Sequence, residues 1–484
     1  MKKRFILVAV LLLSLRPALS AQDLETGYFL GGNPYAFRMN PAFQSERNIF
    51  SLALGQTGLG TWSNLGFSTL FYPDASDGRL YTFLNDRVST GEFLQKIQNN
   101  NRLDADARVN LLTLGFWSRE QFFTLDFNVR SLNALAIPYD MFCFWKEGAE
   151  NRNQFDFSRL GLRSQTFAEA AFGWSRNYDD VLNVGFRIKA LVGGLELNAL
   201  TRNMKLAMSN ERWEVESQSY LYGSSPSLAY SLDENGNPDP ATLKLNGDSW
   251  GPAGFGGAVD LGVSWNVLPY LTLSASALDL GAMRWNREIQ LVSPESSYVW
   301  APSENDGTDA ENWNQELDNA LNELAGVFRF KDASQAGAAF EMLPVQFYLG
   351  AEFRMPFYDR LSLGALYSGR IGSGYGRQSG RVSLNWNPLD FLSMSAGTSL
   401  SRLGESFGFA FNLHPAALNL VIGCDYVPIH GVSLSPLLKD SDMPSFIKRN
   451  AVLPRDRMKL NLYIGLNLAF GQSRTDYARR YWYR

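Results

Sequence analysis

Cysteine and histidine are nearly absent, with two of each in 484 residues. Cys143 and Cys424 are too few for a disulfide scaffold, and the sequence leaves open whether they pair. His414 and His430 exclude a histidine-rich metal site, and neither lies in a serine–histidine motif. The chain is therefore read as a non-enzyme. Past the N-terminus no apolar run approaches the roughly 18 residues of a membrane helix, so no helix is expected to span a bilayer. Positive charge is short as well. The first 21 residues hold four basic residues and no acid, which leaves 40 basic against 48 acidic residues and argues against nucleic acid as a partner.

What is present is export and alternation. Lys2, Lys3 and Arg4, the apolar run Phe5 to Leu15, and the small-residue exit Ala18-Leu19-Ser20-Ala21 read as a cleaved signal peptide over 1–21. Aromatic residues make up 13% of the chain, yet its mean hydropathy is −0.18. A transmembrane barrel reconciles the two, because its lumen is polar and its interfacial girdles are aromatic.

The clearest strand is Leu460 to Phe470. Leu460, Leu462, Ile464, Leu466, Leu468 and Phe470 alternate with Asn461, Tyr463, Gly465, Asn467 and Ala469, so one face is apolar and the other is not. At about 3.3 Å per residue these residues span ~36 Å, enough when tilted for a hydrocarbon layer of about 25 Å. Similar segments are read at Phe50–Leu54, Leu65–Thr69, Ala105–Trp117, Phe122–Leu132, Phe167–Arg176, Leu182–Val192, Val259–Val267, Leu271–Leu280, Val345–Phe353, Leu361–Arg370, Val382–Trp386, Leu392–Leu400, Phe407–Leu413 and Leu418–Tyr426. The expectation is an all-β transmembrane barrel of about 14 antiparallel strands over 48–470. Phe50–Leu54 is the weakest of the wall strands, and a tail follows at 471–484. Trp213–Tyr222 is expected to pair outside the membrane with an extension running to Met208.

Short loop helices are read at Ser89–Leu103 and Glu311–Val327, and Ala134 to Ser164 as a long connection. The acidic stretch from Asp233 to Asp239 has calcium-loop spacing. Pro238 and Lys244 stand where a calcium loop needs glycine and glutamate, so no metal and no cofactor is expected. A charge facing lipid costs about 2–4 kcal/mol at mid-bilayer, so Glu169, Arg187, Lys189, Glu352 and Arg354 are expected to face the lumen. There they either brace the barrel as ion pairs or orient a ligand head group.

Residues 22–47 do not alternate and carry Pro34 and Pro41, so they are not wall. Asn40-Pro41-Ala42 before the first strand, the block Glu169, Gly173, Gly185, Lys189 and Gly193, and the break Asp279-Leu280-Gly281 together resemble a known superfamily. It is that of the long-chain fatty-acid transporters (FadL-type), including PorV-type proteins of a Bacteroidetes secretion system. The final strand resembles the barrel-assembly signal through Tyr463, Gly465, Leu468 and Phe470. The resemblance implies an N-terminal hatch over 22–47 and an outer-membrane location among lipid, reached through the barrel-assembly machinery. It also implies passage of small hydrophobic compounds, or alternatively a place in a secretion or surface-assembly complex with secretion-system proteins as partners.

Overall fold

The computed structural model describes residues 23–471 except 53–56, 74–79, 149–151, 210–212, 234–235, 247–248, 250, 301–329, 334–336, 373–375, 428–430, 434–451 and 455–458. The signal peptide expected at 1–21, the helix expected at Glu311–Val327 and the tail after Gly471 lie outside the described residues.

Fourteen wall strands pair antiparallel in sequence order. They are β1 (Asn48–Leu52, continued by Thr57–Ser63), β2 (Asn100–Ser118), β3 (Gln121–Pro138), β4 (Gly161–Tyr178), β5 (Leu182–Met208), β6 (Gly254–Leu268) and β7 (Leu271–Trp285). They continue as β8 (Ala339–Met342, then Val345–Arg354), β9 (Leu361–Ile371), β10 (Arg377–Leu389), β11 (Leu392–Ser401), β12 (Gly404–Leu413), β13 (Leu418–Val427) and β14 (Lys459–Phe470). Both parts of β1 pair with β2 on one side and β14 on the other, which closes the ring and leaves no edge.

Alternation decides the faces. On β14, Leu462 and Ile464 are 57% and 51% exposed, whereas Asn461 and Tyr463 are 1% and 2% exposed. The same division recurs around the ring, with Ile188, Leu273, Leu349, Leu363, Val382 and Phe411 outward. Such a continuous apolar exterior is stable in hydrocarbon, where a closed barrel satisfies every backbone group internally. Ile464→Arg is therefore expected to lower stability by about 2–4 kcal/mol in urea unfolding from lipid bilayers.

Tight turns at 119–120, 179–181, 269–270 and 390–391 share one end of the ring with residues 47 and 470. The long connections stand at the other end, which by the usual asymmetry of bacterial barrels is extracellular. There β5 runs on, and Trp213–Ser224 pairs with its Glu196–Met208 portion, as the long alternation predicts, and also with Ile289–Trp300, which the alternation does not indicate.

Three sequence expectations need correction. Leu65–Thr69 is not a strand. The Ser63 and Thr69 hydroxyls take the Leu65 and Gly66 N–H groups, and the chain turns into the short helix α1 (Phe67–Leu70). Phe50–Leu52, the described part of the weakest strand candidate, lies on β1 as read, whereas the helix read at Ser89–Leu103 is confined to Thr90–Gln95 and β2 already begins at Asn100. The connection after Ala134 is shorter than expected, because β3 runs to Pro138 and the helix α2 (Tyr139–Glu147) follows at once.

Both cysteines are free and buried. Burial pushes the Cys143 thiol up. At Cys424 a bulge shifts the register opposite Phe407–Phe409 and leaves Tyr426 buried rather than on the apolar face.

Candidate functional site

The interior of the ring holds residues 23–47. This segment forms two single-turn helices, Glu25–Gly27 and Ala36–Arg38, linked by turns. It touches wall strands on every side. Near the extracellular end, the N–H groups of Glu25 and Thr26 donate to Asp425 on β13 at 3.0 and 2.6 Å, and Asp23 pairs with Arg108 on β2. Ser368 on β9 donates to Glu25 at 2.8 Å, and Arg381 on β10 to the Thr26 hydroxyl at 2.7 Å. Apolar side chains fill the rest. Leu24, Leu30 and Tyr35 pack with Ala410, Val421 and Tyr463, while Tyr28 and Met39 pack with Leu278, Tyr348 and Leu366.

The Asn40-Pro41-Ala42 motif has a physical role. The Asn40 side-chain oxygen accepts the Ala42 N–H at 3.0 Å and closes the turn, and its amide nitrogen donates to the Val263 carbonyl of β6 at 3.1 Å. Pro41 lies flat on the wall because Gly185 and Gly262 leave room for it. A Cβ on Gly185 would overlap the Pro41 carbonyl, and one on Gly262 would overlap the Asn40 side chain.

Beside this turn runs a chain of buried ion pairs. Asp126 on β3 accepts from Arg38 at 2.8 Å and from Arg187 at 2.6 Å. Arg187 reaches Asp260 on β6 at 3.5 Å, and Lys189 reaches Asp260 and Asp279 at 2.7 and 2.6 Å. Arg130 holds Asp279 through both outer nitrogens at 2.9 Å and Glu169 at 3.0 Å. Four acids balance four bases, all almost fully buried, so each charge has its counter-charge in the same low-dielectric space.

Asp279 enters this network through a bulge. Leu278 and Asp279 stand opposite Asp260 alone, with Asp279 at φ 61°, and both side chains are buried. Sequence reading flagged the break at Asp279-Leu280-Gly281 without assigning its carboxylate.

The structure thus joins Glu169, Arg187 and Lys189 in one network. It does not join Glu352 or Arg354 to them. Glu352 sits near the periplasmic end and accepts from Ser362 at 2.6 Å, and Arg354 is exposed on a cleft of about 390 Å³ with Asp180, Asn266 and Thr272. The network members missed from sequence were Asp126, Arg130 and Asp260, which share the polar face of their strands, and Arg38, which sits in a segment with no periodicity to signal it. Tyr463 and Gly465 face inward and Leu468 and Phe470 outward.

A family model matches residues 41–425, most of the chain. The chain belongs to the family of unknown function DUF5723. No curated protein matches this DUF5723 sequence. Among solved structures it is similar to the Ralstonia pickettii toluene transporter TbuX, at 10% identity and TM-score 0.43, over 94% of this chain and 99% of that one. It is also similar to a Pseudomonas aeruginosa FadL homologue, at 11% identity and TM-score 0.39, over 93% and 99%. Likenesses at this level carry no argument about ligand, and the DUF5723 barrel stands on its own strand pairing.

Proposed function

We propose that this protein passes small hydrophobic compounds across the outer membrane through the ring, with residues 23–47 as a movable plug. The observation that carries this reading is the seat of the segment. It fills the lumen, is held there by noncovalent contacts, and is joined to the wall at one end, where residue 47 meets β1. Its withdrawal would bare Leu278, Leu366, Ala410 and Val421, an apolar lining within a polar ring.

The test deletes residues 23–47 from the otherwise whole chain. The expected result is a rise of about tenfold in conductance across planar bilayers, because a ring of this strand number encloses an aqueous bore once its filling is gone. Cells carrying the intact protein should also take up a fluorescent C12 fatty acid faster than cells lacking it. A deletion variant that stays closed, together with unchanged uptake, would sink the reading. A stable protein crosslink at Trp213–Ser224 with no uptake phenotype would favour the secretion or surface-assembly role instead.

A further inference from the structure

The plug is held unevenly. Residues 23–26 are tied to Arg108, Asp425 and Arg381, and residues 38–42 to Asp126, Val263 and the Ser276 hydroxyl, which donates to the Met39 carbonyl at 2.6 Å. Between these anchors, Gly31 and Gly32 lie on a wall of different composition. The periplasmic halves of β10 to β14 turn Ser383, Asn385, Ser393, Ser395, Asn412, Asn419 and Asn467 inward, with no charge among them.

Two neutral hydrogen bonds hold the glycines there. The Asn412 amide nitrogen donates to the Gly31 carbonyl at 3.1 Å, and that of Asn419 to the Gly32 carbonyl at 3.4 Å. A carbonyl can only accept, so in both amides the nitrogen faces the plug and the oxygen points away. Both of those oxygens are buried without a partner, as are the Asn387 side-chain oxygen and His414 Nε2. Gly31 leaves no space between plug and wall, since a Cβ there would stand 2.6 Å from the Asn387 oxygen. Gly32 has φ +65°, the left-handed conformation glycine adopts without strain. Burial also pushes the His414 imidazole below its usual value and favours the neutral ring, one of whose nitrogens accepts.

Buried acceptors without partners are costly in the closed state and are satisfied by a donor that arrives when the strap lifts. We infer that the seam between Gly31-Gly32 and the asparagine-lined wall is where the plug parts from the ring, and that the parted seam binds uncharged amphiphiles carrying a hydroxyl or amide donor. This rests on the plug reading above and specifies its route and ligand class.

Two measurements test it. In a Cys143→Ser/Cys424→Ser background, a Gly31→Cys/Asn387→Cys pair places a disulfide across the seam. Oxidation is expected to stop entry of 2-phenylethanol into proteoliposomes and reduction to restore it. Uptake equal in both states overturns the seam, while the deletion experiment reports separately whether the plug gates the ring at all.

The second measurement compares 2-phenylethanol with ethylbenzene in proteoliposomes. The intact protein is expected to favour the alcohol by about fivefold, roughly the worth of one hydrogen bond, and Asn412→Leu or Asn419→Leu to bring the ratio to about one. Heat-shifted gel mobility confirms that each variant is folded. No preference in the intact protein, or a preference that survives both folded variants, overturns the donor class.

Discussion

Replacing Asp279 by alanine is expected to cost about 3–5 kcal/mol, because it takes one counter-charge from each of two buried cations. Asp279 takes two hydrogen bonds from Arg130, one from Lys189 at 2.6 Å and one from Gln346 at 3.1 Å. Without it, Arg130 keeps only Glu169, and Lys189 keeps Asp260 with a longer approach to Glu169 at 3.8 Å. The backbone adds to the loss, since φ 61° suits aspartate better than alanine, by ~1 kcal/mol. Asp279→Asn keeps shape and turn while removing charge, and is expected to fall between alanine and the native protein. Glu352→Gln serves as the contrast. Its hydrogen bond comes from the Ser362 hydroxyl and the nearby charge is that of the exposed Arg354, both outside the network, so a change within about 1 kcal/mol is expected. Urea unfolding in bilayers, read by heat-shifted gel mobility, ranks the three. An Asp279→Ala variant as stable as Glu352→Gln would show that the network does not brace the barrel.

The second large effect is on conductance. Gly185→Val puts branched carbon where the Pro41 carbonyl and the Ala42 nitrogen lie, the latter 2.8 Å from even the first added carbon. Both obstacles are backbone, so no rotamer change relieves the overlap and the Asn40–Ala42 turn must leave the wall. Conductance is expected to rise about tenfold, as for plug deletion, and trypsin should gain access to Arg38, which is fully buried in the native protein. The wall itself is unaltered, so gel mobility of the unheated protein should not change. Gly257→Ala on the neighbouring strand is the control, because its added carbon meets the Lys189 carbonyl at an ordinary 3.5 Å. If the Gly185→Val ring is folded yet closed to ions and protease, the seat of Pro41 is not what keeps the lumen shut.

Much of this molecule is written in period-two alternation. Leu462 and Ile464 against Asn461 and Tyr463 can be sorted into lipid and lumen without coordinates, because adjacent strand residues must point to opposite faces. Once some fourteen such segments exist, closure follows from the cost of an unpaired edge in lipid. The same parity put Glu169, Arg187 and Lys189 inside. Parity does not reach the non-repeating parts. Leu65–Thr69 alternates and is not a strand, because two hydroxyls capture its backbone N–H groups. Asp279 breaks parity and still faces inward, because a bulge adds a residue.

The sequence by itself determined the barrel, its approximate size and which way most side chains face, since those depend on neighbours one or two residues apart. Only the tertiary structure decided that Arg38 meets Asp126, that Pro41 rests on Gly185, and that Gly31-Gly32 lies against uncharged asparagines. Those contacts join residues scores to hundreds of positions apart, and ring closure is what brings them within hydrogen-bonding range.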